Sequence, residues 1–132
     1  MKKERALTAR QTFIAEKLEE IMLKYLGYFR EEVYQKGSGK KGKYTREREY
    51  VEFRQLLGYY LTDKMLFDFT HMEAGLFIGI DHASITHGNT TVESLVETNN
   101  RFAKYYYDIL ILIKNTDFSE REIQNTEKNR IN

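Results

Sequence analysis

The run Asp81-His82-Ala83-Ser84 concentrates groups that can tell one nucleobase from another. A carboxylate accepts from the cytosine amino group, an imidazole pairs with a purine edge, and an alanine methyl packs on a thymine methyl. These contacts demand one geometry: the four residues must form the first turn of a helix, the part nearest the base edges when a helix enters the major groove. The free amides at such an end also favour a phosphate. The same residues admit a plainer role, with Asp81 serving only as an N-cap and His82 lying on an ordinary surface.

A second set of candidates is cationic. Between Lys36 and Arg54 stand Lys36, Lys40, Lys41, Lys43, Arg46, Arg48 and Arg54 against the acids Glu47, Glu49 and Glu52, in a chain whose net charge is only +1. The remainder is therefore slightly acidic. Arg46 and Arg48 lie between a glycine-lysine stretch and a helix, the place from which a basic arm reaches the minor groove beside a helix-turn-helix. Lys40, Lys41 and Lys43 suit phosphate contact. The alternating Arg-Glu-Arg-Glu run at 46–49 also fits simple ion pairing along a solvated helix.

Other chemistries find no support. His71, His82 and His87 with Asp81 have poor metal-ligand spacing, because positions 82 and 87 are about 140° apart around a helix. The Tyr105-Tyr106-Tyr107 run could stack on single-stranded bases, but Tyr106 falls on an apolar stripe, so the run is assigned to the core. No nucleophile-base pair, carboxylate dyad or phosphate-cradling glycine loop stands out. No enzyme, cofactor, metal or small-molecule substrate is expected.

The elements that must position these residues follow from apolar spacing. Ile14, Leu18, Ile21, Met22, Tyr25, Phe29 and Val33 recur at threes and fours, predicting a long amphipathic helix from Thr8, where Gln11 completes a capping box, to about Gln35. Such a helix of about 27 residues is about 40 Å long, enough to offer surface to a second copy of the chain. Residues 37–45 read as a flexible basic loop. A second stripe, Val51, Phe53, Leu56, Leu57, Tyr60 and Leu61, ends near Thr62-Asp63. A short helix capped by Asp68 and burying Phe69, Met72 and Leu76 follows, then a tight turn in which Gly79 takes positive φ. The helix from Asp81 buries Ile85, Val92, Leu95 and Val96, with Gly88 and Asn89 nearest a neighbour. A last helix carries Phe102, Tyr106, Ile109, Leu110 and Ile113, before a polar tail over 115–132 that is expected to be disordered.

The reading is thus all-α, a helical bundle of about five helices containing a helix-turn-helix and led by a long N-terminal helix. Its parts are 1–36, the basic loop 37–45, a DNA-binding unit 46–114 and the tail. In 132 residues, 41% are hydrophobic and 31% charged, which fits one wet-surfaced globular domain. The absence of cysteine, of a spanning apolar stretch and of an apolar core after Met-Lys-Lys-Glu-Arg favours the cytoplasm over membrane or export.

From Arg46 to about Ile113 the order of motifs resembles the C-terminal DNA-binding domain of the bacterial replication initiator DnaA, which carries a Trp-repressor-like helix-turn-helix. In that family an Arg-x-Arg pair precedes an Arg-Gln that opens a helix, and Arg46, Arg48 and Arg54-Gln55 stand at matching intervals. The family's Ser-Leu-x-x-Ile-x-x-x-Phe has its counterpart in Asp68-Phe69-x-x-Met72-x-x-x-Leu76. The family signature Gly-x-Asp-His-Thr-Thr-Val-x-His-Ala is answered by Gly79-Ile80-Asp81-His82-Ala83-Ser84-Ile85-Thr86-His87-Gly88. The turn holds about one extra residue, Ile80 replaces an arginine, and Ala83 replaces a base-contacting threonine, which points to a different target. The family's ATPase domain has no counterpart, since no Gly-x-x-x-x-Gly-Lys-Ser/Thr loop occurs.

The resemblance implies sequence-selective binding of double-stranded DNA, in replication initiation or its regulation or in transcription regulation. It assigns DNA contacts to Arg46, Arg48, Arg54, Asp81, His82, Ala83, Ser84 and Thr86 and a structural role to His87, while Lys40, Lys41 and Lys43, which precede it, are added from the basic loop as phosphate contacts. A second copy of the chain, or a replication or regulatory protein, is a further candidate partner. The rival expectation is a helical protein-interaction module that has a DNA-binding-like fold and no DNA-binding activity, consistent with the near-zero net charge.

Overall fold

The computed structural model describes residues 6–37 and 43–119, and within them the chain is all-helical, with six helices. α1 spans Ala9–Leu26, α2 Arg30–Val33, α3 Arg48–Thr62, α4 His71–Ile78, α5 His82–Thr98 and α6 Asn100–Lys114. The sixth helix beyond the expected five is α2, and it exists because the first helix is shorter than its apolar spacing predicts.

α1 starts as expected: the Thr8 hydroxyl accepts from the Gln11 amide at 3.0 Å, and the Gln11 side chain accepts from the Thr8 amide at 3.0 Å. It ends at Gly27, whose φ of +76° is left-handed and whose amide returns to the Leu23 carbonyl at 2.8 Å. Eighteen residues make a helix of about 27 Å. The case for a second copy based on helix length does not survive. Ile14, Leu18 and Met22 are buried, whereas Tyr25 and Phe29 of the expected stripe are exposed. After Gly27 the chain doubles back, and Val33 in α2 is again buried.

That reversal encloses a polar cluster. Glu19 on α1 is buried and accepts from Arg30 Nε at 2.9 Å and from the Tyr34 hydroxyl at 2.6 Å. Burial chiefly, and then the Glu19 carboxylate, push the Tyr34 hydroxyl far above its ordinary range, so it stays a donor. The Glu32 carboxylate accepts from the Phe29 amide at 2.9 Å and from the Tyr50 hydroxyl at 2.9 Å, which ties α2 to α3.

α3 is the central helix and packs against α1, α2, α4 and α5. Its predicted stripe holds from Phe53 on, with Phe53, Leu56, Leu57, Tyr60 and Leu61 buried and Val51 half-buried. Each such side chain contributes about 1.5–3 kcal/mol on leaving water. The Tyr60 hydroxyl donates to the Tyr106 carbonyl at 2.6 Å, joining α3 to α6, and the two rings stack with centroids 5.5 Å apart. On α6, Phe102, Ile109 and Ile113 are buried, while Tyr106 and Leu110 are half-buried.

The segment from Asp63 to Thr70 departs from expectation. Asp68 does not cap α4: it sits at φ +56°, in a turn whose amides from Leu66 to Asp68 converge on the Asp63 carbonyl. The cap is Thr70, whose hydroxyl accepts from the Glu73 amide at 3.1 Å while Glu73 accepts from the Thr70 amide at 2.9 Å. The frame of α4 therefore shifts by two residues. Ala74, Gly75 and Ile78 face inward, and Met72 and Leu76 are 42% and 47% exposed. Phe69 is buried, though it lies before the helix.

Asn115 to Ser119 are not a loose tail. The Asp117 carbonyl accepts from Lys17 Nζ at 2.9 Å, and Phe118 meets Phe67 edge-on at 4.9 Å. Residues 120–132 of the expected tail lie outside the described residues. Among the described residues no helix is long and apolar enough to cross a membrane.

Candidate nucleic-acid interface

α4 and α5 are joined by Gly79-Ile80-Asp81, and the turn is built by glycine. Gly79 takes φ +88°, as its position predicted. The amides of Gly79 and Ile80 both return to the Gly75 carbonyl, at 2.7 and 3.1 Å. This folds Ile80 back over α4 so tightly that a Cβ at Gly75 would lie 2.5 Å from the Ile80 carbonyl oxygen. α5 then packs on α3 with Ile85 and Val92 buried, and Gly88 lets the helices close: a Cβ there would lie 3.2 Å from Gln55 Cγ. Asn89 donates to Thr62 at 3.0 Å across the same contact.

This packing leaves the start of α5 outside. Asp81, His82, Ala83, Ser84 and Thr86 are all exposed. Asp81 is the N-cap, its Oδ1 accepting from the Ser84 amide at 2.8 Å. That amide bond, then the Ser84 hydroxyl and the nearby His82 and Lys43, hold its carboxyl below the usual range. Capping uses one carboxylate oxygen, so both roles foreseen for Asp81 fit the geometry. Thr86 is more constrained, because its hydroxyl donates to the His82 carbonyl at 3.1 Å and meets His71 Nδ1 at 2.7 Å.

His87, assigned a structural role by the resemblance, is exposed. With Ser84 and Asp81 it borders a groove of about 450 Å³ between α5 and α3, whose other wall includes Val51, Gln55 and Gly58. The signal that could have found it is angular: Ile85, Gly88 and Val92 define the inner face of α5, and position 87 lies off that face. The far half of α5 carries exposed Glu93 and Glu97 and no cation, so only its first turns suit a polyanion.

The cations divide three ways. Lys43, Arg46 and Arg48 are exposed; Arg48 opens α3 and pairs with Glu52 at 3.1 Å. Lys40 and Lys41 lie outside the described residues. Arg54, expected among the DNA contacts, is buried at 8% exposure. Its guanidinium donates to the Val33 carbonyl at 2.5 Å and the Thr45 carbonyl at 2.7 Å, and burial lowers its pKa from the ordinary value. It ties the basic segment to α2 and α3 from within, and only a small part of it reaches the wall of the groove between α3 and α5.

Residues 43–45 are also less free than a flexible loop. The Gly37 amide donates to the Lys43 carbonyl at 2.9 Å and the Thr45 amide to the Gln35 carbonyl at 2.7 Å, so the two flanks of the basic segment pair. The histidines do not converge with acids into a metal site: among the described residues no group of three potential ligands forms. Of the tyrosine run, Tyr105 and Tyr106 are half-buried and Tyr107 is 54% exposed. The chain matches no known family model, no curated protein and no solved structure.

Proposed function

We propose that this protein is a binding protein, not an enzyme, and that it binds double-stranded DNA selectively by sequence. It lays the first turns of α5 in the major groove while Lys43 and Arg46 contact the flanking backbone and minor groove. The observation that carries this reading is the α4-turn-α5 corner. The turn exposes His82, Ala83 and Ser84 together at a helix start, and Tyr44, which stands between Lys43 and Arg46 in sequence, reaches the Ile78 carbonyl at the same corner. The resemblance to the DnaA C-terminal domain supports the same assignment and extends it to replication initiation or its regulation, or to transcription regulation, in the cytoplasm. Arg54 and Gly79 support the interface by shape, and His87 joins its rim.

The test is a salt series on duplexes recovered from a random pool. An enriched motif is expected, with affinity falling against salt at a log-log slope of about −3 to −6, since few cations are available. Absence of any enriched motif and of any salt slope would overturn the reading. The interaction-module alternative draws on a specific feature, the exposed Tyr107, Ile111 and Leu112 on the outer face of α6. It would gain from that negative result.

A further inference from the structure

Tyr44 stands at the junction of three parts that sequence reading keeps separate. Its ring lies edge-on to Tyr34 with centroids 5.5 Å apart, and Lys36 Nζ and the Arg54 guanidinium lie 4.5 and 5.2 Å from its centroid. The far end of the side chain reaches another element: its hydroxyl donates to the Ile78 carbonyl at 3.0 Å, at the last residue of α4. Gly79 makes room for it, since a Cβ there would collide with the Tyr44 hydroxyl. One side chain is thus rooted beside α2 and α3 and bolted to the corner from which α5 departs. On its two sides in sequence stand Lys43 and Arg46.

We infer that Tyr44 is a positioning residue, a strut that fixes the separation between the cations of the basic segment and the first turn of α5. This rests on the DNA-binding reading above and adds to it a specificity device. If the two contact sets were independent, a preference for A·T-rich flanks and a preference for core bases would be selected separately. Held by a strut, they are selected at one fixed spacing. The hydroxyl carries the coupling, because the ring packing and the paired flanks remain without it while the link to Ile78 is lost.

Tyr44→Phe tests this with two readouts. Without DNA, exchange of the Gly37 and Thr45 amides is expected to quicken by about fivefold to tenfold, while the amides of α3 hold their protection, as loss of one hydrogen bond to a local segment predicts. With DNA, duplexes selected from a random pool by Tyr44→Phe are expected to keep the core motif and lose the fixed spacing of the flank. The affinity losses of Tyr44→Phe and Arg46→Ala are then non-additive, the double variant binding no more weakly than Arg46→Ala alone. Unchanged exchange, an unchanged flank spacing, or additive losses in a wild type that binds duplex DNA would each overturn the strut and leave the DNA reading standing. A wild type that binds no duplex would overturn both.

Discussion

Replacing Arg54 by methionine separates a structural role from a DNA-contacting one. Arg54 is 8% exposed and its guanidinium spans the Val33 and Thr45 carbonyls at 2.5 and 2.7 Å, so methionine keeps most of the volume and removes both donors. Each charge-assisted hydrogen bond contributes about 1.5–3 kcal/mol net, and two carbonyls left dry cost about as much again when unmet. Against this, the variant no longer buries a charge, which returns several kcal/mol. The balance expected is a loss of about 2–4 kcal/mol, or a fall of about 10 °C in Tm for a chain of this size. Arg54→Lys is expected to recover only part of it, since an ammonium lacks the planar fork that meets two carbonyls at once. Urea denaturation followed by circular dichroism measures the change. A stability within about 0.5 kcal/mol of wild type, with DNA affinity reduced, would refute the reasoning and return Arg54 to the contact surface.

The exposed residues should behave otherwise. His82→Ala is expected to cost about 1–3 kcal/mol on the preferred duplex and little on random DNA, whereas Lys43→Ala weakens all sequences alike and flattens the salt slope by about one or less. Titrations on both duplex types check this, and equal uniform losses would remove Asp81 to Ser84 as the reading surface. The Asp81 carboxyl is held low in the folded chain, so its contribution to stability is present above the unfolded value of about 3.9 and lost as pH falls through the folded one. Asp81→Asn, which caps without charge, should be less stable than wild type at neutral pH, with the gap narrowing in acid unfolding curves as pH falls below that unfolded value. Gly75→Ala gains up to about 1 kcal/mol of helix propensity but drives a Cβ to 2.5 Å from the Ile80 carbonyl, so a net loss of about 1–2 kcal/mol is expected in denaturant unfolding. A stabilised Gly75→Ala variant would show that the turn relaxes freely.

Features that depend on near neighbours in sequence were legible. The Thr8-Gln11 capping box, the positive φ of Gly79, the N-cap at Asp81 and the stripe of α3 each rest on a few consecutive residues and elementary backbone chemistry. The first helix failed differently. Spacing by threes and fours continues from Met22 through Tyr25 and Phe29 to Val33, and a periodic pattern registers which residues are apolar and not whether the axis continues. Gly27 is a single residue inside that pattern, and only the bonds that Arg30 and Tyr34 make to the buried Glu19 show why the chain gains by turning there.

The two misplacements nearest the site share one physical origin. Asp68 and Thr70 are both good caps, and the frames they set differ by two residues, so apolar spacing could satisfy the first with Met72 and Leu76 and still be wrong. What decides is Gly75, whose missing side chain lets the Ile80 carbonyl close over α4, a contact between residues five apart that no stripe of apolar residues encodes. Arg54 shows the complementary limit. The family resemblance put it among the DNA contacts, and a motif does not register that a guanidinium whose donors meet two carbonyls sits largely inside at tolerable cost. In both cases backbone carbonyls decide the outcome, those of Ile80, Val33 and Thr45, and carbonyls carry no mark in the sequence. The first turn of α5 is the contrast: Asp81, His82, Ala83 and Ser84 are exposed, and there side chains rather than backbone carbonyls meet what approaches.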